Sequence, residues 1–489
     1  MDHLMVSVLV VVFLFVLGWV YVLRSWKKKK LPPGPYPFPI VGNLLQMGGK
    51  HPHVTLAKFA KTYGPLMSFR LGSVYTVIVT NTAMTKEIML KNDLAFSGRA
   101  NVTAAKAHDH HINSVAFLPV GHQWNKVRRL CREQIFSTRH LEASQGLRQQ
   151  KLKQMVDYVT ECSLTGRVVN IGKVVFTTTL NLTSVTLFSE DFGTYTEKST
   201  EWEQVIRGAL DLVGAPNFAD FFPILKLVDP QGIKRKADKC FGRLLEMCED
   251  IINQRIEYSK NNNSTKKKDL LQLLLDDDND YNLSLFDLKH LLLDLMVAGA
   301  DPTTSTLEWI MTELLLNPDI MSKIRAELKG VVGENKQIKE SDITRLPYME
   351  AVIKEVYRLH PPNSLLNRTS YADTEIGGYR VPKGTQVLFN AWAMGRDPNV
   401  WPDPDSIKPE RFLNTKIDFK GQNFELLPFG SGRRICPGLP LADRMVPLLL
   451  AYLVHNFDWD IKSDTTKGDK FGLSVHRAAP LMGLPIKLT

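Results

Sequence analysis

The sequence predicts a mainly α-helical protein with small β-sheets, folded as one large globular unit behind one N-terminal transmembrane helix. Three features carry that prediction. Several long stretches repeat apolar residues at helical spacing, two segments are rich in β-branched and aromatic residues, and a run of 20 uncharged residues lies near the start. With 489 residues, 44% hydrophobic and 23% charged, the chain can bury a large core, and no internal repeat or low-complexity block divides it.

The uncharged run is LMVSVLVVVFLFVLGWVYVL, residues 4–23. At 1.5 Å per residue it spans about 30 Å, the hydrocarbon thickness of a bilayer. Positive charge follows it, in RSWKKKK, and does not precede it. Residues 1–30 therefore read as a retained anchor that leaves the bulk of the chain in the cytosol, not as a cleaved signal. No later stretch is expected to match it. Residues 31–40, opening LPPGPYPFP, form a stiff proline-rich linker, because each proline fixes φ and resists helix formation. Residues 41–489 make up the globular unit.

Within that unit, LMSFRLGSVYTVIVT (66–80) reads as a hairpin about its Gly-Ser pair. Helices are expected over 142–161 and 231–258, followed by the polar loop SKNNNSTKKK (259–268). The longest helix spans 285–316, with Ser284 as its cap, Asp287 at the third position and Asn317-Pro318 as its stop. It would be a rod of about 48 Å, long enough to cross the unit. Helices over 318–332 and 347–360 precede a second β-rich segment at 373–391, around GGYRVPKGTQVLFN.

The net charge of +10 does not point to nucleic acid, since the lysines are scattered and lack aromatic-basic alternation. Anionic lipid headgroups and an acidic protein partner explain it better. Five cysteines, odd in number and without CxxC pairs, argue against a disulfide framework and a zinc module. HDHH (108–111) reads as a solvated loop before it reads as a metal cluster. The sequon at Asn101 is silent in a cytosolic chain.

Cys436 stands apart, in FGSGRRICPG (429–438). Gly432 and Gly438 allow the backbone close to a flat ligand, and they let amide N–H groups point at the sulfur. A thiolate held that way can ligate a metal at one axial position. The stretch has neither the third glycine and βαβ setting of a dinucleotide site nor the lysine of a P-loop; a glycine-rich helix start is the plain alternative.

The pattern F-x-x-G-x-R-x-C-x-G, met by Phe429, Gly432, Arg434, Cys436 and Gly438, resembles the haem-binding loop of the cytochrome P450 superfamily, in which the cysteine ligates iron. Glu355 and Arg358 in EVYR, with Arg411 in PERF, resemble the family's Glu-Arg-Arg network, which locks the core beneath the haem. WNKVRR (124–129) is similar to the family's W-R-x-x-R helix: Trp124 and Arg128 match the contacts to a haem propionate, and Asn125 replaces the usual first arginine. Arg368 and Arg434 fit the other propionate contacts, a task suited to arginine's planar fork.

The resemblance covers essentially the whole chain, including the anchor and linker of plant microsomal members. Segments such as FLPVGHQW, PNFADFFPIL and NAWAMGRDP are similar to terpenoid hydroxylases. It implies haem b, a long central helix over that haem, and a monooxygenase at the endoplasmic reticulum membrane acting on a small apolar terpenoid. Electrons would come from NADPH through cytochrome P450 reductase, docking on a basic face formed by Arg128, Arg129, Arg132 and Arg433. It also implies pocket walls at Phe117 in the 112–118 loop, at Val297 and Ala298, at Leu365 and Leu366, and at Val475 beside Ser474.

Two departures stand out. In AGADPTTST (298–306), Ala298, Gly299, Ala300 and Asp301 match the family's [A/G]-G-x-[D/E]-T-[T/S], but Pro302 replaces the threonine that usually assists proton delivery. The proline removes a hydrogen bond to the Ala298 carbonyl, a loss of about 3 kcal/mol in an ordinary helix and less where, as in the family, the helix bulges. Asp301 and Thr303 are then the expected proton relay. The alternatives are a haem-thiolate enzyme of altered oxygen chemistry and a haem protein that binds ligands without catalysis. In HPPNSLLNRTS (360–370), Asn367 precedes Arg368 where related plant enzymes have proline, so substrate choice does not transfer.

Overall fold

The computed structural model describes residues 30–488 apart from 101, 197, 262–268, 277–280, 282, 334–335 and 466–467; the expected anchor (4–23) and most of the 259–268 loop lie outside these. Among the described residues, ten helices have nine residues or more: α1 Pro52–Tyr63, α2 His122–Leu130, α3 Gln145–Thr165, α4 Ile171–Phe188, α5 Glu201–Gly214, α6 Ile233–Asn261, α7 Leu285–Leu316, α8 Pro318–Val332, α9 Pro347–Leu359 and α10 Leu439–Asn456.

The central rod α7 has the expected boundaries, and each end has a physical cause. Ser284 Oγ accepts from Asp287 N at 3.0 Å while Asp287 Oδ2 accepts from Ser284 N at 3.2 Å, closing a capping box. Asn317 ends the helix because Pro318 follows. The rod is apolar on nearly every side because it runs through two clusters. Leu307, Ile310, Met311 and Leu314 pack with α3, α8, α9 and α10; Leu288, Leu291, Leu292 and Met296 pack with α5 and α6. The break expected at Pro302 is absent, since α7 runs as an α-helix throughout. Pro302 is exposed, as is Ala298, whose carbonyl loses its N–H partner, so the disruption falls on an open face and not in packed core.

A second expectation is also modified. Helix α4 is long and apolar enough to pass for a membrane span, yet 78% of it is buried inside the protein. Its hydroxyls bond back along the helix, Thr178 Oγ1 to Val174 O at 2.7 Å and Thr179 Oγ1 to Val175 O at 2.8 Å, which suits a core helix lying against α7.

The 66–80 segment forms the hairpin β1 (Leu66–Leu71) and β2 (Val74–Val79). It belongs to a four-stranded sheet ordered β1-β2-β7-β4, with β4 at Leu365–Thr369 and β7 at Gln386–Asn390. The β-rich 373–391 segment therefore splits into β7 and a separate hairpin, β5 (Thr374–Ile376) and β6 (Tyr379–Val381). Short strands β3 (Val169–Asn170), β8 (Phe457–Ile461) and β11 (Met482–Lys487) form one C-terminal sheet, and β9 (Asp469–Lys470) pairs with β10 (His476–Arg477).

HDHH is solvated only in part: His108 and Asp109 are exposed, as expected, but His110 is not. It lies in a 3-10 segment, Thr103–Ile112, and His110 is only 2% exposed. Its Nδ1 is 2.9 Å from His290 Nδ1 and its Nε2 is 3.1 Å from Asp294 Oδ1, both on α7. Asp294 also accepts from Ser114 Oγ and Val115 N, each at 2.7 Å. The charge pattern misled because these partners are distant in sequence.

Candidate active site

The 429–438 loop turns sharply before α10. Gly432 has φ +66°, and a Cβ there would meet Asp93 Oδ1 at 2.5 Å and Met89 O at 2.8 Å, so only glycine fits. The turn closes where Cys436 N donates to Phe429 O at 3.0 Å. Phe429 is held edge-on by Tyr357 at 5.5 Å. Burial pushes the Cys436 thiol up; N–H groups of Gly438 and Leu439 and the Arg128 charge act against that and favour a thiolate. A Cβ on Gly438 would lie 3.8 Å from the sulfur, so glycine keeps the space beside it clear.

Cys436 lines two concavities, an inner cavity of about 410 Å³ and a more open groove lined in part by Arg128, Arg129, Arg132, Lys420 and Arg433. Asn125 also lies in that groove. Five arginines line the inner cavity; Arg148 is paired with Glu340 at 2.7 Å, and the other four, Arg99, Arg128, Arg368 and Arg434, form one cluster. Their protein partners are backbone carbonyls: Asn367 O for Arg99 at 2.6 Å, Ile435 O for Arg128, Ser431 O for Arg368 at 3.0 Å, Ser97 O at 3.0 Å and Leu118 O for Arg434. Burial first and mutual repulsion second pull Arg99 and Arg434 down to about 10 and Arg368 well below its usual range. Arg368 Nη1 is buried with no hydrogen-bond partner. Asp93, close enough for its charge to be felt, is paired with Arg433 at 2.9 Å. Such a cluster fits an anionic ligand with two or more carboxylates, as the propionates of haem provide.

Trp124 does not point a free N–H into that space. Its Nε1 donates to Val115 O at 3.2 Å, and its ring instead carries Arg434 at 4.9 Å and Arg128 at 5.9 Å. Behind the loop, Glu355 binds Arg358 through Nε at 2.7 Å and Nη2 at 2.8 Å, and Arg411 Nε reaches Glu355 Oε1 at 3.3 Å. Arg358 in turn holds the carbonyls of Gly395, Pro404 and Ser406, tying α9 to the segment before the cysteine loop.

The cytochrome P450 family model matches residues 32–484. The chain belongs to the cytochrome P450 family. Ferruginol synthase from Salvia fruticosa is 52% identical to it, over 97% of this chain and 99% of the relative. Ferruginol synthase from Isodon rubescens and sugiol synthase from Salvia miltiorrhiza are each 50% identical, over 97% of this chain and 98% of theirs. The protein is thus a P450 monooxygenase, and haem b is its cofactor. Cys436 would hold the iron, and the four arginines the propionates.

Along the wall of this P450's cavity, α7 contributes Leu295, Ala298, Gly299, Pro302, Thr303 and Thr306, and α4 contributes Thr179, Leu182, Thr183 and Leu187. Leu366, Val115, Leu473 and Ser474 also line it. Among the expected pocket residues, Ala298 and Leu366 are on this wall. Leu365 points to the other face of β4 and packs by Leu56 and Phe69, as strand alternation requires. Val297 packs into the α5–α6 cluster, and Phe117 lies against His110 at 6.3 Å. Val475 is buried, its carbonyl accepting from Ser305 Oγ at 2.7 Å and Trp309 Nε1 at 3.0 Å.

The two expected relay residues are separated. Thr303 is on the wall, and no described residue hydrogen-bonds its hydroxyl. Asp301 is off it, and its Oδ1 is 2.9 Å from His476 Nε2; His476 Nδ1 lies 3.6 Å from Glu308 Oε2. Burial pulls His476 down, but the two carboxylates outweigh it and raise the ring to about 9. Burial raises Asp301, and the His476 bond and charge more than reverse that, leaving it below 3.8. Sequence reasoning missed His476 and Arg99 because neither belongs to a spaced motif.

The linkage has a definite sign. His476, raised in the folded state from 6.5 to about 9, contributes stability fully below about pH 6.5 and loses it as pH rises through 9. The depressed Asp301 contributes above its ordinary 3.8 and loses that as pH falls. We expect His476→Gln to cost about 1–3 kcal/mol at pH 6 and to flatten the stability decline between pH 6.5 and 9, as measured by urea unfolding across that range.

Proposed function

We propose that this P450 hydroxylates a terpenoid, and a diterpenoid before a monoterpenoid, at an unactivated C–H bond. Electrons come from NADPH through cytochrome P450 reductase, docked on the basic groove behind Cys436. Bound haem supplies the chemistry, using dioxygen and those electrons to insert one oxygen atom and release the other as water.

The observation that carries this reading is the state of the cavity wall between Cys436 and α7. It is built mainly from aliphatic side chains and helix-bonded threonines. Its one carboxylate, Asp294, is fully engaged by Ser114, Val115 and His110. Apart from the arginines that would take the propionates, no unpaired charge among the described residues lines this cavity, so a hydrocarbon skeleton fits and an ionic substrate does not. The relatives named for ferruginol and sugiol formation support the same class. A panel of mono- and diterpenes incubated with the enzyme, reductase and NADPH tests it. A hydroxylated diterpene is expected; turnover confined to another compound class would refute it.

Within that reading, the chain excludes water with α4 and α7, orients substrate by shape, and holds a proton at Thr303 Oγ1, the expected relay residue on the wall. A retained anchor over residues 4–23 places the enzyme on the endoplasmic reticulum membrane. Pro302 on the open face of α7 favours a second reading, in which proton delivery is altered and reduced oxygen escapes uncoupled. Pro302→Thr separates the two. We expect it to raise product formed per NADPH and to lower hydrogen peroxide release, read from product and peroxide assays. Loss of product with the fold intact would show that the oxygen chemistry depends on the proline.

A further inference from the structure

His51 and His53 flank Pro52 at the start of α1, and Asp469 of β9 lies over both. Asp469 turns one oxygen to each ring: Oδ1 is 2.6 Å from His51 Nδ1, and Oδ2 is 3.2 Å from His53 Nε2. Neither approach has hydrogen-bond geometry. Both nitrogens, together with His53 Nδ1, are buried without a hydrogen-bond partner, and His53 is 0% exposed. For the fully buried His53 ring a carboxylate contact would need an aligned N–H···O bond to offset its desolvation, and it has none. Donor atoms of two imidazoles and a carboxylate lie within 4.8 Å of one another, so a small inward shift of the side chains brings all three onto one ion with bonds of about 2.0–2.2 Å.

We propose that His51, His53 and Asp469 form a binding site for one divalent first-row metal ion of the zinc class, clamping α1 to the β9–β10 hairpin. The donor set is the borderline nitrogen and oxygen mixture that such ions take. Its surroundings fix the ligands in advance. Phe471 stacks on the His53 ring at 5.7 Å, Trp392 meets it edge-on at 5.4 Å, and Asn390 Nδ2 holds the His53 carbonyl at 2.7 Å. Arg396, whose charge Asp469 feels, is committed to Leu359 O at 2.7 Å and Asp405 at 3.3 Å. The partly exposed side chains of His51 and Asp469 leave an entry path and room for water as a further ligand.

The consequence reaches the catalytic cavity. Asp469 pairs with Arg477 and Lys470 with His476 across the hairpin, and Leu473 and Ser474 between them are cavity wall. A bound ion would therefore hold in place both that wall and the partner of Asp301. This proposal is independent of the substrate reading.

The test uses untagged, full-length, haem-loaded protein, stripped with a chelator and titrated with zinc by calorimetry, with metal analysis of the product. One zinc per chain is expected, with a rise in thermal midpoint. His51→Ala and Asp469→Asn should each weaken binding by roughly 10-fold or more and abolish the midpoint shift. The reduced carbon monoxide spectrum serves as the folding check, because neither residue touches the haem cavity. Substoichiometric zinc in the wild type, or unchanged binding in both variants, would overturn the site.

Discussion

Glu355→Ala is expected to destabilise the protein by about 3–5 kcal/mol, a large part of the 5–15 kcal/mol typical of a folded domain. Glu355 is 0% exposed and Arg358 1%, so the substitution strands a buried guanidinium whose carboxylate partners sat at 2.7 and 2.8 Å. The pair also organises backbone. Arg358 donates to Gly395, Pro404 and Ser406, and Lys408 N donates to Glu355 at 2.7 Å, so the segment leading to the cysteine loop is released together with the charge. Glu355→Gln keeps the shape but not the charge, and should lose nearly as much. Urea unfolding and the fraction of chain retaining haem measure the effect.

The second large effect is on chemistry. Cys436→Ser should fold, since the loop is closed by backbone, Cys436 N to Phe429 O, and serine is close in volume. It should lose the thiolate signature of the reduced carbon monoxide complex. Product formation should fall by more than about 100-fold, at least roughly 3 kcal/mol at the transition state. A variant that retains that spectrum would mean that another group ligates the iron.

The elements readable from sequence are those with local causes. Helix α7 carries its own start in Ser284 and Asp287 and its stop in Asn317-Pro318, and its boundaries were legible to the residue. The FGSGRRICPG loop was legible because a left-handed turn at Gly432 and a tight approach to Asp93 leave little choice of residue. Long-range placement was not legible. Leu365 and Leu366 are neighbours in sequence, yet the register of β4 against β7 sends them to different clusters. Asp294, His110 and His290 meet across some 180 residues, and His476 reaches Asp301 from the C-terminal hairpin. Charge patterns read one segment at a time left all of HDHH looking solvated, His110 included, and Asp301 looking like a group facing the cavity.

The Pro302 departure was visible from the sequence, but its setting was not. A proline in packed helix would be a plain defect. On the open face of α7, beside Thr303 and opposite α4, it alters the cavity wall while the helix continues.

The central claim is that this thiolate cavity performs monooxygenation of a terpenoid despite the missing threonine. Simultaneous measurement of NADPH oxidation, dioxygen uptake and hydroxylated product, with reductase present, tests it most directly. The account predicts product that depends on both NADPH and dioxygen and carries one oxygen atom from labelled dioxygen. Product formed without either, or oxygen in the product drawn from water, would contradict it.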